Sequence, residues 1–183
     1  LKQMSQEGVD LMLCDSTGAE ENDIAGDEKE ILFAMDRLFR EASQRIFVAV
    51  FSSNVRRIET VLLSAKRYGR KVTLAGRSVH THFRAALSAC GIDTSDNIIV
   101  SAEEAAQLPR KDLVVLISGT QGESRSALFR IASGNHHKLK VEPGDLVILS
   151  SRFIPGNEPA IGRMIDRLLI QGVQTVHRGI MPS

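Results

Sequence analysis

The feature that most constrains this chain is an alternation. Brief runs rich in Val, Ile and Leu recur along its length, each separated from the next by a longer amphipathic stretch. A strand that is apolar without interruption must be buried on both faces, and the amphipathic stretches supply helices to cover it. The pattern predicts about seven strands, at Val9 to Cys14, Arg45 to Phe51, Lys71 to Ala75, Ile98 to Val100, Leu113 to Ser118, Leu146 to Ser150 and Val173 to His177. The expected fold class is α/β, a three-layer α/β/α arrangement around a mostly parallel, Rossmann-like sheet.

The helices have recognisable ends. Asp27 with Glu30, and Ser101 with Glu104, have the spacing of capping boxes, in which two side chains satisfy amide groups left open at a helix start. Gly69, Gly91, Gly134 and Gly172 fall where left-handed helix stops are expected. In the helix expected from about Asp27 to Ala42, the residues Ile31, Ala34, Met35, Leu38 and Phe39 share one stripe, the spacing of a face packed on a sheet. No internal repeat, low-complexity tract or Pro/Ser-rich linker divides the sequence, so a single domain over residues 1–183 is the simplest expectation.

Composition narrows the function classes. With 43% hydrophobic and 25% charged residues among 183, the chain can bury a core. Seven Phe, one Tyr and no Trp argue against a nucleic-acid surface built from rows of stacking aromatics. A formal net charge of +1 is too small to attract a polyanion globally, so any such attraction must come from locally clustered Arg and Lys. Cys14 and Cys90 have neither disulfide nor metal-ligand spacing and read as buried free thiols in a reducing, cytoplasmic setting. No apolar run approaches the roughly 20 residues of a membrane helix, and Leu1 to Asp10 lacks the parts of a signal peptide. A start at Leu1 without Met, and a stop at Ser183 just after a strand-like segment, suggest a piece excised from a larger protein.

In open parallel sheets ligands bind beyond the carboxyl ends of the strands. That rule selects Asp15 to Glu20, Ser52-Ser53-Asn54, Gly76-Arg77-Ser78, Gly119-Thr120-Gln121-Gly122-Glu123 and Ser150-Ser151-Arg152-Phe153-Ile154-Pro155-Gly156-Asn157-Glu158. Hydroxyl and amide side chains beside Gly or Pro let such tips present donors to phosphate or sugar oxygens, although each loop alone is equally ordinary turn chemistry. No P-loop and no G-x-G-x-x-G fingerprint is present. Asp15, directly after an apolar run, could orient a His or serve in acid/base chemistry, or simply form an Asx turn. His80 with His82, and His136 with His137, lack a third ligand at metal-site spacing; adjacent histidines are expected to point in different directions. Arg56, Arg57, Arg77, Arg125, Arg130 and Arg152 lie in or just behind the polar loops and could line a polyanion path, with a solvated helix face an equal explanation for Arg57 and Arg130.

Three of these strings, Cys14-Asp15-Ser16-Thr17-Gly18-Ala19-Glu20, Ser118-Gly119-Thr120-Gln121-Gly122-Glu123 and Ser150 to Glu158, in this order and spacing, closely resemble the β-CASP region of ribonuclease J, a family of metallo-β-lactamase-fold nucleases. The resemblance covers nearly the whole chain. It implies a zinc-dependent RNase, a phosphodiester hydrolase of RNA processing and decay acting as an endonuclease or a 5′-exonuclease, whose β-CASP domain closes over single-stranded RNA. The partners it implies are RNA and the metallo-β-lactamase domain of the same parent chain, with no membrane partner and homo-oligomerisation left open. Asp15 would match the family's acidic residue at a strand end and take a catalytic role by supporting a His from further along the chain. Ser53, Asn54, Arg77, Ser78, Gly119, Thr120, Gln121, Gly122, Glu123, Ser150, Ser151, Arg152, Asn157 and Glu158 would bind RNA or line its channel.

The departures from the family pattern are specific. The H-x-H-x-D-H string of the family's metal site is absent, as are the histidine motifs expected beyond Ser183, so this chain is expected to hold no metal and to be inert alone, with zinc held by the parent enzyme. Val79-His80-Thr81-His82 is atypical after Arg77-Ser78, and Ser124-Arg125 stands where a Pro is expected. Two other classes compete with the nuclease reading: a Rossmann-like module binding nucleotides or small molecules, and an assembly domain whose loops contact protein.

Overall fold

The structure is a computed structural model that describes residues 6, 8–13, 28–90 and 97–177. Its elements, in chain order, are α1 (Glu28–Glu41), β1 (Ile46–Ala49), α2 (Val55–Arg67), β2 (Lys71–Ala75), α3 (Arg77–Cys90), α4 (Ala102–Ala105), a 3-10 turn (Arg110–Asp112), β3 (Leu113–Ile117), α5 (Ala127–Ala132), β4 (Leu146–Leu149), α6 (Glu158–Ile170) and β5 (Gln174–His177). The five strands form one sheet in the order β2-β3-β1-β4-β5, and every pairing is parallel.

The expected alternation of strand and helix is present, and its two-sided burial is visible residue by residue. On one face Ile46, Val48, Val72, Val114, Leu116 and Ile148 pack against Met35 and Phe39 of α1, Ile58, Val61 and Ala65 of α2, and Val79 and Phe83 of α3. On the other, Phe47, Ala49, Val115, Ile117, Val147 and Leu149 pack against Ala105 of α4, Leu128 and Ile131 of α5, and Ile161, Met164 and Leu168 of α6. Each fully buried Leu, Ile or Phe contributes roughly 1.5–3 kcal/mol relative to exposure, so both helical layers are held to the sheet by apolar burial. Ser101 and Glu104 make both bonds of the expected capping box. Gly69, Gly134 and Gly172 have positive φ of 64°, 71° and 75° directly after helices, the backbone of a left-handed stop. Asp27 and Gly91 lie outside the described residues.

Two expected strands require correction. Val9 to Leu13 forms no strand, and Leu11, Met12 and Leu13 are 76%, 74% and 89% exposed. An apolar β-prone run becomes a strand only where a neighbour takes its hydrogen bonds, and no strand among the described residues pairs with this one. Cys14, the end of that expected strand, is outside the described residues. Ile98 to Val100 contributes only an isolated parallel bridge, Val72 with Ile99, at the outer edge of β2. Five strands therefore stand where about seven were expected.

The register decides where function can sit. Ala75 pairs with Ile117, Ile117 with Ala49, Ala49 with Leu149, and Leu149 with His177, so all five strands end level. The helices that directly follow β1 and β2, α2 and α3, pack on the first face, whereas those that follow β3 and β4, α5 and α6, pack on the second. Because β1 lies between β3 and β4, the chain leaves neighbouring strands in opposite directions on both sides of β1, which opens a crevice above it.

The other edge of the sheet is closed by buried charge. Asp145, with no exposed surface, accepts from Arg45 Nη2 at 2.8 Å, from Arg110 Nη2 at 2.7 Å and from the Glu142 amide at 3.0 Å. Arg45 also donates to the Lys140 carbonyl at 2.8 Å and lies 5.0 Å from the Phe47 ring centre. Its bond to Asp145 raises the Arg110 guanidinium above its usual pKa. Arg70, whose pKa burial lowers, donates to the carbonyls of Gln44 and Ala42. These contacts pin the segments entering β1, β2, β3 and β4 to one another.

Candidate functional site

Four loops leave the level row of strand ends, and side chains and close backbone approaches join them into one surface. After β1, Ser52 is half-buried while Ser53 and Asn54 are exposed, and Asn54 Oδ1 accepts from the Arg57 amide at 3.1 Å, capping α2. After β2, Gly76 has a φ of 103°, and Arg77 and Ser78 open α3 with exposed side chains. A side chain at Gly76 would collide with Ser118, so this glycine lets the loops after β2 and β3 touch.

The loop after β3 is divided into an inner and an outer part. Gly119, Thr120, Gln121 and Gly122 are buried, whereas Glu123, Ser124 and Arg125 are exposed. A Cβ built on Gly122, whose φ is 71°, would stand 2.6 Å from the Ala160 carbonyl carbon, so the loop lies directly on the first turn of α6. Gln121 is the junction with the loop after β4. Its Nε2 donates to the Arg152 carbonyl at 2.9 Å, and its Oε1 accepts from the Ile154 amide at 2.9 Å and from Asn157 Nδ2 at 3.3 Å. At 5% exposure, Gln121 is a strut beneath the surface, not part of it. The Glu123 carboxylate accepts from the Gln121 amide at 3.1 Å.

Beyond β4, Ser150, Ser151 and Asn157 are half-buried, and Arg152 and Glu158 are exposed. Ile154 to Asn157 is closed by a 3.0 Å bond from the Asn157 amide to the Ile154 carbonyl, with Pro155 and Gly156 as the central residues and a φ of 93° at Gly156. That is the Pro-Gly turn the sequence pattern favours. Glu158 accepts from the Gly156 amide at 2.7 Å. Among the described residues the Glu123 and Glu158 carboxylates of these loops are thus bonded to backbone amides, while Arg56, Arg77, Arg125 and Arg152 are exposed. The surface offers hydroxyl and guanidinium donors, the chemistry that holds anionic oxygens.

Arg57 was open in the sequence between a polyanion path and a solvated helix face, and it is neither exposed nor solvated. It is 8% exposed and donates through Nη1 to the hydroxyl of Ser150 and, at 3.3 Å, to its carbonyl. Its phase on α2 carried the signal, because Arg57 precedes Val61 and Ala65 by four and eight residues on the buried stripe. The rings of His136 and His137 also depart from expectation, stacking at 5.3 Å with 13° between planes. His136 Nδ1 accepts from the Leu139 amide at 3.1 Å, and burial, reinforced by Arg130 and His137, lowers its pKa. His177 ends β5 with its ring 5.1 Å from that of Phe153.

Asp15, and with it Cys14 to Glu20, lies outside the described residues. Among the described residues no group of three or more His, Cys, Asp or Glu could hold a metal ion. A hollow of about 600 Å³ between the carboxyl ends of α5 and α6, lined by Phe129, Ala132, Arg167, Ile170 and Gln171, is at the opposite edge from these loops. No helix among the described residues is long and apolar enough to cross a membrane.

The sequence profile of the "Ribonuclease J, beta-CASP domain" family matches residues 43–168, which span the sheet from β1 to α6 and all four loops. The chain belongs to this family. Similar proteins include the ribonuclease J of Thermus thermophilus, 39% identical over 96% of this chain and 30% of the relative, and that of Mycobacterium tuberculosis, 37% identical over 96% and 32%. The ribonuclease J of Synechocystis is 36% identical over 97% of this chain and 28% of its own length. The chain thus spans between 24% and 32% of the length of these and other ribonuclease J proteins that it matches. Ribonuclease J proteins are metallo-β-lactamase-fold enzymes, and the part matched here is their β-CASP domain.

Proposed function

We propose that this chain is the RNA-holding β-CASP domain of a longer, cytoplasmic zinc-dependent ribonuclease, forming one wall of a channel whose other wall is the metallo-β-lactamase domain of the same protein. Single-stranded RNA is the proposed substrate, and the zinc ions are assigned to residues outside those described. On this reading the chain by itself has no nuclease activity. Asp15 keeps its proposed place near the chemistry; an unchanged cleavage rate after Asp15→Ala in the full-length protein would remove it.

The observation that carries the reading is the level row of strand ends, from which four interlocked loops present donors outward in a member of this family. Burial divides the proposed residues by role. Ser53, Asn54, Arg77, Ser78 and Arg152 have exposed donor groups and are assigned to the phosphate backbone, with half-buried Ser150, Ser151 and Asn157 beside them. Gly119, Thr120, Gln121 and Gly122 are buried and are assigned to shaping the wall. Glu123 and Glu158, each bonded to an amide of its own loop, are assigned to holding the loop conformation.

The test is the salt dependence of single-stranded RNA binding by the full-length protein. Each arginine that neutralises a phosphate contributes about 0.7 to the slope of log affinity against log salt, so Arg77→Ala and Arg152→Ala are each expected to lower that slope by this amount and weaken binding across sequences. Unchanged affinity and slope in both variants would overturn the reading.

A further inference from the structure

We infer that Arg57 is a positioning residue that makes Ser150 an outward hydrogen-bond donor to a backbone phosphate oxygen of the bound strand. This deepens the reading above and rests on it.

The argument begins with what each group can do. A guanidinium carries only donors, whereas a hydroxyl carries one proton and two lone pairs. Arg57 Nη1 is bonded to both the hydroxyl and the carbonyl of Ser150, so in both contacts Ser150 accepts. The Ser150 amide is already committed to the Ala49 carbonyl at 2.9 Å. Ser150 therefore retains its hydroxyl proton, and among the described residues no acceptor takes it. A cation on the oxygen's lone pair polarises the O–H bond and strengthens it as a donor.

Placement supplies the rest. Ser150 directly follows β4 and Arg57 lies in the first turns of α2, so this contact spans the crevice where the chain leaves β1 and β4 in opposite directions. Ser150 is half-buried and reachable, while Arg57, at 8% exposure, offers little surface to a ligand. Arg57 thus acts through Ser150. Both contacts come from Nη1 alone, so lysine in its place would supply a charge and donors but not the rigid planar group that holds that nitrogen in position.

The test is a double-mutant cycle in the full-length protein, read as affinity for a single-stranded oligoribonucleotide at several salt concentrations. Ser150→Ala is expected to weaken binding about tenfold, the usual effect of a hydrogen bond to a charged group. Its salt slope is expected to stay unchanged, because a neutral hydroxyl releases no counterion. Arg57→Ala should weaken binding by a similar factor, and the double variant should bind no worse than Arg57→Ala alone, since the two act as one unit. If Arg57→Ala does not fold, Arg57→Lys replaces it in the same cycle with a smaller loss and the same lack of additivity.

Multiplying losses would overturn the inference by assigning Arg57 a role independent of Ser150. Unchanged affinity in Ser150→Ala would overturn it as well. If Arg77→Ala or Arg152→Ala weakens binding while Ser150→Ala does not, the RNA-holding reading stands and this inference falls; if none of the three weakens binding, both fall.

Discussion

The two edges of the sheet solve opposite problems with the same residue types. At the amino edge arginines face inward: buried Arg45 and half-buried Arg110 converge on the fully buried Asp145, and buried Arg70 is spent on main-chain carbonyls. At the carboxyl edge Arg77 and Arg152 are exposed, the two loop carboxylates are bonded to amides, and the buried hub is neutral Gln121. The difference teaches that charge below is used for cohesion, whereas above it, exposed arginines present charge while buried Arg57 is turned to Ser150. A neutral strut under the upper loops fixes their shape without adding a buried charge there.

The sharpest way to break this comparison is to remove Asp145. Asp145→Ala removes the buried carboxylate shared by Arg45 and Arg110, leaving them the exposed Glu142 at 3.6 and 3.5 Å, and should cost roughly 3 kcal/mol, measured by denaturant unfolding, with RNA affinity of the folded protein unchanged. A large loss of affinity at full stability would mean that the edges do not divide their roles as described. A smaller effect is expected at the strut. Gln121→Leu removes the partners of the Ile154 amide and the Arg152 carbonyl, at roughly 1–3 kcal/mol, and should raise hydrogen exchange at 151–157 while leaving the amino edge protected. Equal exchange at both edges would show that Gln121 does not hold the loop.

The smallest expected effect is a pH dependence at His136, in the segment leading to the amino edge. Burial holds its pKa below the ordinary value of 6.5, so the folded state favours the neutral ring. Its contribution is therefore complete above the ordinary value and is lost as pH falls through the lowered one, because the unfolded chain takes the proton first. The melting temperature should fall less between pH 7 and pH 5 in His136→Asn than in the unsubstituted protein. Identical falls would show that His136 is not a source of the acid sensitivity.

Much of this architecture was legible from periodicity. Apolar runs such as Leu113 to Ile117 mark strands buried on both faces, and the stripe through Met35 and Phe39 marks a helix packed on them. The Pro155-Gly156 turn and the Ser101 cap follow from local chemistry, and the family strings pointed to the family whose profile the chain matches. What periodicity does not encode is whether a partner is present. Val9 to Leu13 has the composition of a strand and no neighbour among the described residues, so its side chains are exposed. Nor does a string distinguish surface from support. Gln121 and Arg152 both belong to ligand-like loops, yet one is buried through contacts that form only when loops more than thirty residues apart meet. Arg57 was hidden for a related reason, since a charged residue on a buried stripe declares itself only when its acceptor, ninety-three residues away, is in place.

The central claim is that RNA lies on the carboxyl edge. Hydrogen exchange of the full-length protein with and without single-stranded RNA tests it most directly. Protection confined to the loops at 52–54, 76–78 and 150–158, with 42–45, 110–112 and 140–146 unchanged, is the predicted result. Protection at the amino edge, or none at the carboxyl loops, would contradict it.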